Sequence, residues 1–454
     1  MNDKFGDSEK PEDEFGREFN PKDFQEFLQK FMAGQEGMDP AALAAAAGLP
    51  NDPQALAQVI AQLQAAMSAS NQNPADEESA GVNWQLATQQ AKQIAHASIK
   101  PVEAKFRDEL KAALSIGTLW LNEVTDISEL ASEPKLMSRE LWVEDAMPLF
   151  QALAGPVAER MSQALTDNIK QNAPEELASI LASAGGLMKS AGGALFAMQL
   201  GQAIGKLSGE VLTGSEIGLP LFQDQRAAFV PQNFDAFVAG LDVEADQAFI
   251  YLAVREMAHT RLFKHSKWLR DHVVSQISNY AAGISIDNRK IEELAQDFDG
   301  SNPDEIRKAL ETGALIADRT EDQQLALNRI ETMLALVEGW VDVVTEAATK
   351  RLPKAAAIAE AVRRRRATGG PAEQTFGTLI GLELRPRRLR EAAAMWRAIG
   401  EAVGAEQRDR LWDHPDLLPS ADDIDNPSAL IAKLAGTTNE PDDLDNALRE
   451  LLGE

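Results

Sequence analysis

A chain of 454 residues, 44% of them hydrophobic, is longer than one simple core needs and has the apolar material to fill two or three units. Its net charge of -27 sets up a field that repels polyanions and acidic membrane surfaces, so any nucleic-acid contact has to be local. With no cysteine, disulfides and thiolate metal sites are excluded, and metal chemistry is left to His, Asp and Glu. The same composition suits a reducing cytoplasm, the expected location, and the acidic start MNDKFGDSEKPEDEFGREFN lacks the apolar core of a signal peptide.

Residues 1–20 are polar and charged with little to bury, which predicts disorder. A short amphipathic helix follows at 21–32, with Phe24, Phe27, Leu28 and Phe31 at helical spacing, then two alanine-rich helices at 40–47 and 53–67. The polar, Gly/Pro-containing stretch 68–81 reads as a linker, so residues 1–80 form an N-terminal appendage. From Val82 to Asn172 nearly every segment carries a helical stripe, with Trp120 and Trp142 as packing aromatics and Ser138 placed to cap a helix. His96 has no companion ligand nearby and reads as structural.

Residues 177–212 are apolar but interrupted by Lys189, Gln199, Gln202 and Lys206, so no run reaches the ~18–20 residues of a membrane span. Small residues four apart (Gly193, Ala197, Gly201, Gly205, Gly209) predict instead a buried central helix that another helix approaches closely. The stretch 219–237 is the one place with strand-like or irregular character before the next helix.

That next helix, starting near Asp242 as N-cap, holds three of the five histidines, His259, His265 and His272. At its centre stands Arg255-Glu256-Met257-Ala258-His259, one residue away from the His-Glu-x-x-His of zinc peptidases. Positions i and i+4 share a helix face, which lets two histidines grip zinc while the glutamate activates a bound water. A guanidinium has no lone pair to give a metal, so Arg255 breaks that pattern and brings a permanent cation instead. His265 and His272 are not at the spacing of the extended zinc motif.

After an acidic helical region at 286–318, a long helix from Glu321 carries Leu325, Ile330, Met333, Leu334 and Val337 straight to Glu338, with Gly339 beside it and Asp342 one turn on. Between Lys350 and Gly400 twelve Lys/Arg face four Glu, a net of +8. Arg363, Arg364, Arg365, Arg366, Arg385, Arg387, Arg388 and Arg390 make this a candidate phosphate-binding cluster, although a solvated face or intramolecular pairing is the favoured reading. Residues 413–454 form an acidic C-terminal tail with short helices.

Four segments together resemble the zincin-like metallopeptidase family, long treated as a domain of unknown function, whose members are described as hydrolases or zinc-dependent metalloproteases: Val82-Asn-Trp84, the run from Arg255 to Arg270, Val337-EGWVDVV-Val344, and the run from Arg363 to Ala392. The resemblance spans residues 82–412 and implies a mainly α, zincin-like helical domain with at most a small β element. Carried over by position, Glu256 matches the general base, His259 the second zinc ligand and Glu338 the third, while Arg255 departs from the first. Two ligands make a poor zinc site, so the expectation is a degenerate member without cofactor, with the Arg255 guanidinium paired to Glu338 or Glu256, acting as a protein- or peptide-binding scaffold with no membrane partner. Two alternatives stand beside it. One is an active zinc peptidase completed by His265 or Asp342; the other is a nucleic-acid accessory protein working through the arginine cluster.

Overall fold

The computed structural model describes residues 82–96, 104–172, 178–239, 241–285, 317–370 and 385–437, with single positions 287, 289, 374, 377 and 380–382. All belong to the second of two compact units, Ala61–Glu454. The expected N-terminal helices and linker, nearly all of the acidic 286–318 region and the last C-terminal helix lie outside these residues.

The fold is mainly helical. In chain order the elements are α1 (Trp84–His96), α2 (Ala104–Leu121), β1 (Lys135–Leu136), α3 (Arg139–Asn172), α4 (Ala178–Ser208), β2 (Ala228–Phe229), α5 (Phe234–Val238), α6 (Ala245–His265), α7 (Leu269–Ala282), α8 (Glu321–Thr349), α9 (Ala355–Thr368), α10 (Leu389–Arg410), α11 (Ala421–Asp425) and α12 (Ser428–Thr437). Among the described residues no helix is long and apolar enough to cross a membrane.

Of the small-residue ladder, Ala197, Gly201 and Gly205 are buried on α4, and Gly201 and Gly205 meet α1 at its buried Ala87 and Ala91, whereas Gly209 lies past the end of α4 and is exposed. A methyl group at Gly205 would lie 2.9 Å from Ala91 O and 2.8 Å from Ile94 Cβ, so the two backbones touch where no side chain fits between them. Ser138 caps α3 as expected, accepting the Leu141 N–H at 3.2 Å. His96 sits at the surface against Glu140, 2.6 Å away, in a purely local pair.

The start of α6 differs from expectation. It begins at Ala245 with Glu244 as N-cap, not at Asp242, and no side chain caps the backbone there; Glu244 accepts from Gln247 Nε2 at 2.8 Å instead. What fixes this end is packing: the rings of Phe106 and Phe234 lie 4.5 Å and 3.6 Å from that of Phe249. From Tyr251 to Phe263 every residue of α6 is buried, between α2 on one side and α8 on the other.

Helix α8 starts with a capping box, Thr320 and Gln323 satisfying each other's backbone N–H. It then crosses α10 at Gly339, where an added Cβ would stand 2.8 Å from both Ala392 Cβ and Ala393 N. Three tryptophans fill the space behind this crossing: Trp396 stacks on Trp412 at 5.5 Å, and Trp340 donates to buried Asp409 at 2.9 Å. Gly339→Ala therefore forces α8 and α10 apart and is expected to destabilise the protein by about 1–3 kcal/mol, read as a lower urea midpoint. An unchanged midpoint would mean that the crossing tolerates a methyl group.

The β element is a two-stranded parallel pair, Lys135 opposite Ala228 and Leu136 opposite Phe229. Only β2 falls in the strand-like stretch read from sequence. On its other side β2 is joined by residues 212–214, through Gly214 N to Ala228 O and Val230 N to Leu212 O, both at 2.8 Å. These pairings bring residues 212–218 over the middle of α6.

Candidate functional site

The sequence places five charged or titratable groups in the buried centre of the molecule, and three of them, Arg255, His259 and Arg366, meet at the carboxylate of Glu338. Glu338 on α8 is 0% exposed; around it stand Arg255 (7%), Glu256 (0%) and His259 (1%) from α6 and Arg366 (3%) from α9. Arg255 donates through Nη2 to Glu338 Oε2. Arg366 donates through Nε to Glu338 Oε1 at 3.2 Å. His259 Nε2 lies 3.4 Å from the same oxygen, close enough for electrostatic contact, without a well-aligned hydrogen bond.

The electrostatics follow from burial and neighbours. Burial pushes the Glu338 carboxyl up, but the charges of Arg366 and Arg255, with His259 beside them, outweigh it and hold Glu338 below the usual carboxylate range. His259 moves down, because burial disfavours the imidazolium by more than Glu338 restores, with the two arginines pushing weakly the same way as burial. It is therefore a neutral imidazole at neutral pH.

Glu256, one residue from Arg255, points elsewhere. Its carboxylate accepts the backbone N–H of Ser215 at 3.1 Å and that of Ala228 at 2.9 Å, with the Ser215 hydroxyl at 3.4 Å. Burial raises its pKa to about 7 against these hydrogen bonds. Glu256 thus ties α6 to β2 and to the 212–218 segment. Gly218, at φ 77°, closes that segment over Glu338: a Cβ there would lie 2.6 Å from Glu338 Oε1 and 3.2 Å from Arg366 Nη2, so this position takes glycine for both conformation and space.

The remaining residues singled out in the sequence are held away from this centre. His265, at the end of α6, pairs with Asp413 at 2.7 Å on the surface. Asp342 is buried but taken by Arg363, whose Nε lies 3.0 Å from both of its carboxylate oxygens. The described residues contain no group of three His, Asp or Glu side chains close enough to hold a metal ion. Most of the basic cluster is ion-paired within the molecule: Arg363 also to Glu346, Arg365 to Glu216, Arg387 to Glu331, Arg388 to Asp425 and Arg390 to Glu360. Arg364 is exposed.

Arg366 was read only as a member of the basic cluster, not as a partner of Glu338, because it stands in a run of four arginines. The signal was there: Ile358, Val362 and Arg366 stand four apart on α9, and all three are buried. The two backbone amides that hold Glu256 left no comparable mark, since donor groups of the main chain are the same in every sequence.

One concavity borders the site and another lies beyond it along α6. A cavity of about 20 Å³, lined by Leu212, Leu252, Val362, Arg255, His259 and Arg366 among others, has room for about one water. A wider one of about 300 Å³ opens at the C-terminal end of α6, between Phe222, Gln225, Phe263, Lys267 and Arg270.

The result is a mainly helical domain with a buried helix bearing Glu256 and His259, a glutamate from a second helix facing that histidine, and a two-residue parallel strand pair alongside. The chain belongs to the zincin-like metallopeptidase family, whose profile matches residues 82–431. A search of curated proteins finds no match. Among solved structures, the chain is similar to a presumed hydrolase with a novel fold from Chloroflexus aurantiacus, with a TM-score of 0.54 and 19% identity, covering 79% of this chain and 100% of that one. At that identity the likeness concerns the fold.

Proposed function

We propose that this is a zincin-like family protein with a degenerate site, in which the Arg255 guanidinium stands in place of the first zinc ligand, and that it works as a non-catalytic protein- or peptide-binding scaffold in the cytoplasm. The observation that carries the reading is the buried ion pair between Arg255 and Glu338. A catalytic zinc needs three protein ligands and an open position for water. Of the family's set, His259 remains as a neutral donor and Glu338 is bound by two guanidiniums, so the residues present do not fit the ion. His265 and Asp342, the two groups able to complete a set, are engaged by Asp413 and Arg363. Glu256, the base by resemblance, spends its oxygens on backbone N–H groups. The cavity beside His259, about 20 Å³, is far below the few hundred Å³ that a peptide side chain and its flanks occupy. The concavity of about 300 Å³ at the end of α6 has that room, and it supports a peptide or protein partner over a hydrolysed substrate.

Metal analysis of the full chain, purified without chelators or a histidine tag, tests this. The expected result is zinc well below one equivalent and no metal-dependent hydrolysis of peptides. One equivalent of zinc that disappears in His259→Ala would overturn the proposal.

A further inference from the structure

We infer that the lost dication is replaced by two guanidiniums, not one, with Arg366 as the second, so that restoring a histidine at position 255 is by itself insufficient to restore zinc binding. The inference rests on the reading of the site as degenerate and adds a residue to it. Each oxygen of Glu338 is taken by a guanidinium, Oε2 by Arg255 and Oε1 by Arg366, so the carboxylate that a metal would share already carries a fixed cation on both oxygens.

Arg366 is built into this position. It is 3% exposed and comes from α9, a separate helix, on the stripe of Ile358 and Val362, whereas its neighbour Arg365 turns to Glu216 and Arg363 to Asp342. The left-handed Gly218 leaves space for the contact between Arg366 and Glu338 specifically, since a Cβ there would meet both Glu338 Oε1 and Arg366 Nη2. In an Arg255→His variant Arg366 still occupies Glu338 Oε1, one of the oxygens a metal would bind, and it stands as a fixed like charge beside any incoming cation. Its removal is therefore the second condition for zinc.

The test is zinc affinity of the full chain by competition with a chromophoric chelator, for the unaltered protein, Arg255→His, and Arg255→His with Arg366→Met. The double variant is expected to bind one zinc at least about a hundredfold more tightly than Arg255→His. Equal affinity of the two variants, or no binding by either, overturns the inference and leaves the degenerate reading intact. Full zinc occupancy of the unaltered chain overturns that reading and this inference together. Because two buried substitutions can cost the fold, a stability cycle gives an independent readout. The drop in urea midpoint caused by Arg366→Met is expected to vanish or reverse in a Glu338→Gln background. The same drop in both backgrounds would overturn the role given to Arg366.

Discussion

Replacing Glu338 with glutamine is expected to lower the unfolding free energy by about 3–5 kcal/mol, the largest effect of any single change at the site. Glutamine keeps the shape of glutamate, so packing against Gly218 and His259 survives and what is lost is the charge. Arg255 and Arg366 then lose the carboxylate they share, and removing one partner of a buried charge pair is where large penalties arise. Removing either arginine is expected to cost less, because Glu338 keeps the other. The ordering is therefore Glu338→Gln above Arg255→Ala or Arg366→Ala, which plain loss of volume would not give, since alanine removes more atoms than glutamine. Glu406→Gln serves as a control: the Arg410–Glu406 pair is more than half exposed on both sides and is expected to change stability by no more than about 0.5 kcal/mol. Urea unfolding monitored by tryptophan fluorescence reads all four. A loss below about 1 kcal/mol in Glu338→Gln would mean that the site is wet and the three groups are not mutually dependent.

How far the sequence alone reached follows from the kind of signal each element carries. Helices α6 and α8 were legible because each combines apolar residues three and four apart with one polar group inside the stripe, and a carboxylate or imidazole in such a stripe has to find a partner. That marked His259 and Glu338 as groups in need of partners, and it was the resemblance to the zincin-like family that implied they share a site with Arg255. The α4 ladder was legible for a related reason, because small residues four apart mark a close helix contact, which Gly201 and Gly205 make while Gly209 falls past the end of the helix. Arg366 was hidden by its neighbours: four successive arginines average to charge, and only the Ile358–Val362–Arg366 spacing separates the buried one from the rest. Strand β1 is two residues long and has no period to detect. The seam between residues 212–214 and β2 exists because main-chain groups from distant parts of the chain meet, so nothing local announces it. The exact start of α6 failed for a similar reason, since the aromatic packing of Phe106, Phe234 and Phe249 outweighs the preference of Asp242 for capping.

Glu256→Gln is expected to change how stability depends on pH, with the parent losing on the order of 3 kcal/mol relative to the variant between pH 4.5 and pH 8. The folded-state pKa of Glu256 is raised to about 7 from an ordinary value of 4.5. A raised folded pKa means that the native state holds the proton more tightly than the unfolded chain. The stability this contributes is fully present below pH 4.5 and is lost as the pH rises through about 7. Glutamine has no proton to lose, so the variant does not share that decline. It pays at every pH instead, because its amide NH₂ faces a backbone N–H where the carboxylate accepted one, leaving Ser215 or Ala228 without an acceptor. Near pH 5 Glu256→Gln is therefore expected to be the less stable protein, and towards pH 8 the difference should shrink or reverse. Other groups titrate in the same range: the lowered pKa of His259 costs stability as pH falls below about 6.5, and Glu338 acts only at lower pH. Both are common to the two proteins and cancel in the difference. Parallel stability curves from pH 4.5 to pH 8 would show that Glu256 keeps an ordinary carboxylate pKa, and hence that the segment over α6 admits water to its side chain.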